Sequence, residues 1–368
     1  MKIGILTFHR AHNFGAVLQA YALQEQLRKT GNEVNVIDYR PEYLRPDMPK
    51  LKKWMFTHGR AWETIKKYFR VTRKEQISYN KYFNFINRYF KLSEACDNNA
   101  DLSSVVKGFD LVILGSDQIW NSCFNGNDVS WFGDIEGYNG VIATYAVSSG
   151  ENISDDTFNV LKRMITRYKA ISVREPFLAE MLINELKPLT DVKIVLDPSI
   201  LVDPSVWTKF CKKPSSPGKY VLVYQARKSA SIYKIATKIA KELNAEVVSV
   251  DFWDNSFRKD VRHVIASPSE FVSLILFAEC VVTTSFHGTA FSVILNRPFY
   301  YIALHDGADG RVRNLLDKIG LSDRLIDEKN KFRYEAVDFE RTNHIINDMR
   351  IESQSFLHIL INNLKNRK

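Results

Sequence analysis

Residues 1–38, MKIGILTFHRAHNFGAVLQAYALQEQLRKTGNEVNVID, decide the fold class of this chain. They predict a short apolar strand at Lys2–Thr7, a helix at Gly15–Lys29 and a second strand at Glu33–Asp38. One face of the predicted helix is apolar and carries Ala16, Ala20, Leu23 and Leu27. Because a helix that joins two strands usually places them parallel in one sheet, this stretch predicts an α/β protein.

The same alternation of strands and helices continues along the rest of the chain. The first half has further predicted strands at Asp110–Leu114, Val141–Ala146, Ala170–Val173 and Lys193–Leu196. In the second half, strands at Tyr220–Tyr224, Glu246–Val250, Cys280–Thr283 and Phe299–Ile302 alternate with helices at Ser231–Leu243, Pro268–Phe277 and Gly288–Leu295. The segment Lys212–Lys219 is a linker. We therefore predict two Rossmann-like domains, 1–211 and 219–345, whose parallel sheets face each other across a cleft, and a C-terminal helix at 346–368.

Length and composition describe an ordinary globular protein. The chain has 368 residues, enough for two domains, and its 45% hydrophobic and 25% charged residues argue against disorder. No apolar run approaches the roughly 18 residues that cross a bilayer, and the N-terminal apolar stretch is too short for a signal peptide. The four cysteines lie far apart, which argues against a disulfide scaffold or a cysteine zinc site. We therefore expect a cytoplasmic protein.

The excess positive charge is concentrated in one segment, Lys50–Lys91. The whole chain has 51 Lys and Arg against 42 Asp and Glu, whereas this segment alone has 12 basic and 2 acidic residues among many aromatic ones. The aromatic residues either pack on the domain beneath a solvated basic face, or contact an anionic membrane or a lipid-linked substrate from the cytoplasmic side. No nucleic-acid-binding signature accompanies the segment, so no nucleic-acid partner is expected.

Four loops that follow predicted strands contain the candidate site residues, because ligands of open parallel sheets bind beyond the carboxyl ends of the strands. The first loop, Phe8–Gly15, leads into a helix whose free amides favour an anion, with Asn13 and Gly15 as candidates. The alternative is that these two residues only cap and turn the chain. The second loop, Gly115–Asn121, offers donors and acceptors that suit sugar hydroxyls, or else caps the next turn.

The third loop contains Arg174, whose planar guanidinium matches a carboxylate or a phosphate. The alternative for Arg174 is an ion pair with Glu175 or with an acid of a neighbouring loop. The fourth loop contains His287 at a strand–helix junction, where a general acid or base enters a cleft, although a lone histidine is more often structural. Ser285 and Thr289 beside it offer hydroxyls to phosphate oxygens.

Several signatures of other enzyme classes are absent from the sequence. It has no His-Glu-x-x-His, Asp-x-Asp, Walker lysine loop or Gly-x-Ser-x-Gly, and the first loop is not a Gly-x-Gly-x-x-Gly fingerprint. The sequence therefore does not favour metal-dependent, covalent-serine or dinucleotide-dependent chemistry.

Six blocks in chain order resemble the polysaccharide pyruvyl transferase family. They are Ile3-Gly4-Ile5-Leu6 with Asn13-x-Gly15, Gly115-Ser116-Asp117-Gln118-x-Trp120-Asn121, 145–150 (YAVSSG), 172–175 (SVRE), 196–199 (LDPS) and 285–291 (SFHGTAF). Each block alone is weakly specific, but six in register are strongly specific, and together they cover most of the chain.

The resemblance implies a fold similar to GT-B glycosyltransferases, with the acceptor on the first domain and the donor on the second. Family members transfer the carbon skeleton of phosphoenolpyruvate to two hydroxyls of one sugar, forming a cyclic pyruvate ketal and releasing phosphate. The acceptor is typically a unit of an exopolysaccharide, capsule or cell wall, often on a lipid carrier at the inner face of the plasma membrane. The partners implied are phosphoenolpyruvate and a sugar or lipid-linked glycan, with no cofactor and no metal.

Two positions depart from the family pattern. Many members have Arg-Leu-His where this chain has Ser285-Phe286-His287, and many have Asp where it has Ala16. We therefore expect other arginines to bind the donor. The predicted catalytic residues are His287 and Asp117; the predicted donor-binding residues are Arg174, Arg227, Arg311, Arg313, Asn13, Gly15, Ser285, Gly288 and Thr289; the predicted acceptor-binding residues are Ser116, Gln118, Asn121 and Ser149.

Two other functions stay open on the sequence. A glycosyltransferase of the same fold would use a nucleotide sugar. Either Asp38 at the end of the second strand or the loops of the second domain would serve the nucleotide, and the alternative for Asp38 is that it only caps a turn. A non-catalytic scaffold of a polysaccharide assembly complex would keep the fold without the donor arginine. Release of a nucleoside diphosphate instead of phosphate distinguishes the glycosyltransferase from the pyruvyltransferase.

Overall fold

The computed structural model describes residues 1–44, 61–150, 153–214, 218–250, 258, 260–307, 309–327 and 334–366, with the backbone alone at 61–72. Strands of the first half form one sheet in the order β3-β2-β1-β4-β5. They are β1 (Lys2–Leu6), β2 (Glu33–Tyr39), β3 (Leu92–Cys96), β4 (Leu111–Leu114) and β5 (Val141–Thr144), and every neighbouring pair is parallel. A parallel pair, β6 (Ile171–Val173) and β7 (Val192–Ile194), extends this sheet through an isolated bridge between Val147 and Val173.

The second half forms another parallel sheet, in the order β10-β9-β8-β11-β12-β13. Its strands are β8 (Tyr220–Tyr224), β9 (Glu246–Val250), β10 (Arg262–His263), β11 (Cys280–Thr283), β12 (Phe299–Ile302) and β13 (Leu325–Ile326). In both sheets the strand order reverses beside the first strand, between β1 and β4 and between β8 and β11. Doubly wound folds bind their ligands at these switch points.

Helices connect the strands of both sheets. They are α1 (Phe14–Arg28), α2 (Ala61–Tyr89), α3 (Asn99–Val106), α4 (Asp155–Met164), α5 (Pro176–Met181), α6 (Pro198–Leu201), α7 (Ser205–Thr208), α8 (Ile232–Glu242), α9 (Pro268–Leu276), α10 (Phe286–Ile294), α11 (Asp309–Ile319) and α12 (Glu340–Lys365). None of the described helices is long and apolar enough to cross a membrane. Because α1, α10 and α11 begin just after strands β1, β11 and β12, their first turns lie at the carboxyl edges of the sheets.

The two halves share a hydrophobic core. Phe14 of α1 stacks on Phe271 of α9, with ring centroids 4.3 Å apart and ring planes within 1° of parallel. Helix α12 returns to the first half, where the Ser353 hydroxyl accepts a hydrogen bond of 3.0 Å from the Leu196 backbone N–H. These contacts hold the first turn of α1 next to the first turn of α10.

The predicted α/β class and strand–helix alternation are confirmed, and β8, β9, β11 and β12 have the predicted bounds. Strand β3 and helix α3 were not predicted, because Leu92–Cys96 is a polar, partly exposed edge strand without clear alternation. Helix α10 begins before the predicted Gly288, since the Ser285 hydroxyl caps it by accepting from the Gly288 N–H at 3.3 Å. Helix α12 begins at Glu340 instead of 346. The predicted domain boundaries at 211 and 219 stay a prediction.

The basic, aromatic segment Lys50–Lys91 lies only partly within the described residues. In its last part, Tyr82, Phe85 and Phe90 are buried and join the core beside α1. Phe83 is 43% exposed. These three aromatic residues therefore pack on the domain. Membrane contact by the segment stays a prediction, and residues 50–60 lie outside the described ranges.

Candidate active site

Three residues from separate elements meet at the edge between the two sheets. Arg174 follows β6, Asp197 precedes α6, and His287 lies in the first turn of α10. Asp197 Oδ2 lies 2.8 Å from Arg174 Nη2 and 3.5 Å from His287 Nε2. The Arg174 and Asp197 side chains are only 5% and 1% exposed. The structure therefore places the predicted residues Arg174 and His287 together, linked by a carboxylate that the sequence analysis did not assign.

Asp197 is held in place by its local sequence. Its Oδ1 accepts hydrogen bonds from the Ser199 N–H (2.8 Å) and hydroxyl (2.6 Å), and Pro198 occupies the first position of α6. Burial opposes ionisation of this carboxyl, but Arg174 and His287 outweigh it, so the pKa of Asp197 lies well below its usual range. Asp197 is therefore an ionised carboxylate. The signal available in the sequence was the Leu196-Asp197-Pro198-Ser199 block itself.

His287 is enclosed between the two halves. Its Nε2 faces Asp197, while its other nitrogen faces the first turn of α1: a Cβ built on Gly15 would come within 2.0 Å of Nδ1. Gly15 is thus required for close approach of the imidazole. The imidazole therefore lies between a carboxylate on one side and the backbone of α1 on the other.

Two arginines flank the ring of Phe286. The guanidinium carbons of Arg174 and Arg311 lie 5.8 and 5.9 Å from the ring centroid, within the range of cation–π attraction. With its amide oxygen turned toward α11, Gln118 accepts from Arg311 Nη1 (3.0 Å) and Nη2 (3.2 Å). Burial lowers the pKa of Arg311, against the opposing influence of Glu175.

Both arginines have guanidinium N–H groups without a hydrogen-bond acceptor among the described residues. Arg174 Nε and Nη1 and Arg311 Nε are buried and have no hydrogen-bond partner within the described ranges. Buried polar groups normally find a partner, so unmatched guanidinium donors indicate an anion-binding position.

Glu175 lies beside the arginines but does not form the ion pair that the sequence offered as one role for Arg174. The ion pair of Arg174 is with Asp197, whereas Glu175 Oε1 accepts from the Ser148 hydroxyl at 2.7 Å. The Glu175 carboxyl is buried, and this burial raises its pKa despite Arg311 and Arg174 nearby. Its Oε2 is unpartnered among the described residues.

A cavity of about 460 Å³ opens on this cluster. Its lining includes the charged residues Arg174, Glu175, Asp197 and Arg311, the ring of Phe286, and further residues of α11 and α12. The cavity therefore joins positively charged donors and a buried carboxyl in one enclosed space.

The second loop closes another side of the site. The Ser116 hydroxyl accepts from Arg174 Nη2 at 2.6 Å, and Asp117 Oδ1 lies 3.7 Å from the same nitrogen. Asp117 has a φ of 82°, an uncommon left-handed conformation for a residue other than glycine. Asn121 approaches Gly150, next to the buried Ser149, whose hydroxyl has no partner among the described residues. The predicted acceptor-binding residues therefore lie together.

The other predicted arginines are placed differently. Arg227 forms ion pairs with Asp306 and, at 2.8 Å, with Asp309, so two carboxylates already engage its guanidinium. Arg313 is exposed on α11. Neither has a described contact with Arg174 or His287. Donor binding by these two arginines is not supported by their placement and stays a prediction.

The predicted anion-binding groups at helix starts mainly serve the helices. Asn13 is exposed and accepts from the Ala16 N–H at 3.2 Å, which caps α1. The Thr289 hydroxyl is buried and donates to the Ser285 carbonyl at 3.2 Å. A Cβ on Gly288 would come within 2.4 Å of the Thr283 hydroxyl, which explains glycine there.

Asp38 contacts three basic side chains. It pairs with His9 (3.1 Å), Arg10 and Arg40, and it is buried. Burial opposes ionisation, but hydrogen bonds from these three residues lower the pKa of Asp38 well below its usual range. The placement gives no support to the nucleotide-binding role that the alternative function assigned to Asp38.

Most of the sequence that carries this site matches a known protein family. The family model of polysaccharide pyruvyl transferase matches residues 13–306, most of the chain. The chain belongs to the polysaccharide pyruvyl transferase family. The resemblance seen in the six sequence blocks is thereby confirmed. No curated protein matches the sequence significantly.

Solved structures are similar to this pyruvyl transferase family member to different degrees. A protein from Listeria monocytogenes described as a UDP-N-acetylglucosamine 2-epimerase has a TM-score of 0.51 and 10% identity, covering 97% of this chain and 90% of that chain. A glycosyltransferase from Streptomyces sp. SF2575, complexed with thymidine diphosphate, has a TM-score of 0.48 and 13% identity, with 98% and 99% covered. An E. coli heptosyltransferase has a TM-score of 0.40 and 10% identity, with 96% and 100% covered.

At such identity the first of these shows the fold alone. The predicted fold class, two Rossmann-like halves with parallel sheets similar to GT-B glycosyltransferases, is confirmed.

Proposed function

We propose that this protein is a pyruvyltransferase. It takes phosphoenolpyruvate as donor and forms a cyclic ketal on two hydroxyls of a sugar in a cell-surface polysaccharide or its lipid-linked precursor, with release of phosphate. The observation that carries the proposal is the pair Arg174 and Arg311, which have unmatched buried donors and lie near the Phe286 ring, next to the His287–Asp197 pair.

The two arginines match the charge of the donor. Phosphoenolpyruvate carries a phosphate and a carboxylate, and each group suits the planar fork of a guanidinium. Asp197 pairs with Nη2 of Arg174. The other two nitrogens, Nε and Nη1, are therefore available to an oxyanion. Arg311 comes from α11, and its guanidinium carbon lies 5.9 Å from the centroid of the Phe286 ring. It is therefore our candidate for the arginine that the family pattern places where this chain has Ser285.

His287 is our candidate for the base that accepts a hydroxyl proton from the sugar. Its Nε2 lies 3.5 Å from the Asp197 carboxylate, which would stabilise the imidazolium that forms when the ring accepts a proton. Asp117, Gln118, Asn121 and Ser149 on the first half are the candidates for the sugar hydroxyls.

Thermal unfolding with ligands tests the donor. Saturation at a hundred times the dissociation constant stabilises a protein by about 2.7 kcal/mol, or about 3 °C for a chain of this length. We expect this shift with phosphoenolpyruvate, and we expect Arg311→Gln and Arg174→Lys to lose it. Arg341→Gln removes an exposed charge from α12 and serves as the matched control that keeps the shift.

A panel of nucleotide sugars in the same experiment separates the alternatives. A shift with a nucleotide sugar and none with phosphoenolpyruvate would replace the proposal with the glycosyltransferase. Retention of the phosphoenolpyruvate shift by both arginine variants would contradict the assigned donor site. No shift with any donor would favour the non-catalytic scaffold.

A further inference from the structure

Glu175 has a location that the proposed roles of Arg174, Arg311 and His287 do not use. It occupies the N-cap position of α5, yet its side chain makes no capping hydrogen bond. The residue is 3% exposed, its carboxyl accepts from Ser148, and it lines the same cavity as the two arginines. Local structure therefore does not account for a buried carboxyl at this position.

We propose that Glu175 is the acid that delivers a proton to the methylene carbon C3 of phosphoenolpyruvate. This inference rests on the proposed function. Its geometric basis is that Oε1 is fixed by the Ser148 hydroxyl, whereas Oε2 is buried and unpartnered among the described residues, in a cavity with Arg174 and Arg311. A donor anchored on those arginines lies next to Oε2.

The charges around Glu175 favour its acid form once the donor is bound. Burial already raises the pKa of the carboxyl, and Arg311 and Arg174 are the groups that oppose this increase. The phosphate and carboxylate of the donor would neutralise both arginines and add like charge, so the pKa rises further. Four other charged groups line the cavity or lie within ion-pair distance of Arg174. They are Asp117, Asp197, Lys318 and Glu352. Asp197 is committed to Arg174, and Lys318 and Glu352 are exposed.

The chemistry balances with one acid and one base. The Glu175 proton bonds to C3, and C2 becomes an oxocarbenium-like electrophile. The first sugar hydroxyl bonds to C2 and gives its proton to His287. The second hydroxyl then bonds to C2 as the bond between C2 and the phosphate oxygen breaks. Of the two protons that the hydroxyls release, one restores Glu175 and the other leaves with the phosphate.

Two groups suit this reaction better than one. Protonation of C3 needs a group that begins as an acid, and attack by the hydroxyl needs one that begins as a base. Burial raises the pKa of the Glu175 carboxyl, whereas His287 lies beside the Asp197 carboxylate. The environments of Glu175 and His287 therefore fit opposite roles.

The pH dependence of donor affinity tests this assignment without an acceptor. A phosphate monoester loses its second proton near pH 6, so the donor itself does not titrate between pH 7.5 and 9.0. Because binding requires protonated Glu175, we expect the dissociation constant of phosphoenolpyruvate, measured by calorimetry, to rise severalfold across this window and by up to tenfold per pH unit. Glu175→Gln keeps the shape and the Ser148 contact, and its affinity should stay within twofold across the window.

Two control variants are measured in the same pH series. Glu180→Gln removes an exposed carboxyl from the same helix and should keep the wild-type slope. His287→Gln should keep the slope as well, because the titrating group is Glu175. A flat wild-type profile, or an equal slope in Glu175→Gln, overturns the assignment.

Catalysis is measured on polysaccharide from cells in which the variant is the only copy of the chain. We expect the methyl resonance of the pyruvate ketal to disappear with Glu175→Gln, to return in part with Glu175→Asp, and to persist with Glu180→Gln. Ketal retained by Glu175→Gln overturns the inference while the proposed function stands. Absence of the ketal in wild-type cells, or of phosphoenolpyruvate binding by the wild-type protein, overturns both.

Discussion

The imidazole of His287 lies against the backbone of Gly15, so close that a Cβ on the glycine would come within 2.0 Å of Nδ1. The two residues belong to opposite halves of the molecule and to the first turns of α10 and α1. The contact fixes one side of the imidazole as firmly as Asp197 fixes the other.

Gly15→Ala should therefore displace His287. We expect a loss of about 1–3 kcal/mol in the free energy of unfolding, as is typical when a methyl group is forced into a packed site. Ketal formation should fall severely, whereas the thermal shift with phosphoenolpyruvate should persist because Arg174 and Arg311 are not touched. Urea unfolding and the ketal assay measure the two effects.

The control is Gly108→Ala, whose Cβ would meet only the Val105 carbonyl oxygen at 3.4 Å. Wild-type ketal formation by Gly15→Ala would show that His287 does not need its position.

Asp197→Asn should destabilise the protein in a pH-dependent way. Removing one partner of a buried ion pair costs about 3–5 kcal/mol, since the charge of Arg174 loses its counterion. The pKa of Asp197 is lowered in the folded state, so its contribution is fully present above the ordinary aspartate pKa near 3.9 and is lost as pH falls through the folded value.

The difference in unfolding free energy between wild type and Asp197→Asn should thus be constant from pH 5 to 8 and shrink in stronger acid. Asp191→Asn, at a side chain that is 84% exposed, is the comparison that should show almost no difference. A gap that widens toward acid pH would contradict the lowered pKa.

Phe286→Leu should weaken donor binding. The ring lies within cation–π distance of both Arg174 and Arg311, and each exposed or half-buried contact contributes about 0.5–1 kcal/mol. Loss of both predicts an increase of roughly 5- to 30-fold in the dissociation constant of phosphoenolpyruvate, at about 1.4 kcal/mol per factor of ten. Phe277→Leu, at a partly exposed ring after α9, should bind normally. Equal affinities in the two variants would mean that the ring does not orient the arginines.

Asp38→Asn should lower the stability of the protein without changing its affinity for the donor. Asp38 pairs with Arg10, Arg40 and His9, and its pKa is lowered, so the substitution removes stability that the wild type has at neutral pH and loses in acid. The dissociation constant of phosphoenolpyruvate should not change. A large loss of affinity for a nucleotide sugar in this variant would instead revive the glycosyltransferase.

Much of the fold was predictable because its strands are short, apolar and bounded by turns. β8 and β11 are buried along their whole length, and such runs give a clear signal. β3 gave none, because an edge strand with polar, exposed side chains needs no hydrophobic alternation. Its place is decided by pairing with β2, which is a tertiary contact.

The site was predictable only in part. Arg174 and His287 stood out because each follows a strand, and the sheets bring such positions to one edge. Arg311 and Arg227 looked equivalent in the sequence, yet Asp306 and Asp309 bind Arg227 while Arg311 reaches Phe286. Asp197 and Glu175 escaped assignment because their roles depend on side chains distant in sequence, such as Ser148 and His287.

Because Asp197 pairs with His287 across the two halves, neither half contains a complete site. The carboxylate, one arginine and the glycine contact come from the first half, whereas the imidazole and the second arginine come from the other. A fragment of either half would lack a working proton acceptor. Two separately expressed fragments should then form the ketal only when they are mixed. Ketal formation would in that case measure the association of the two halves.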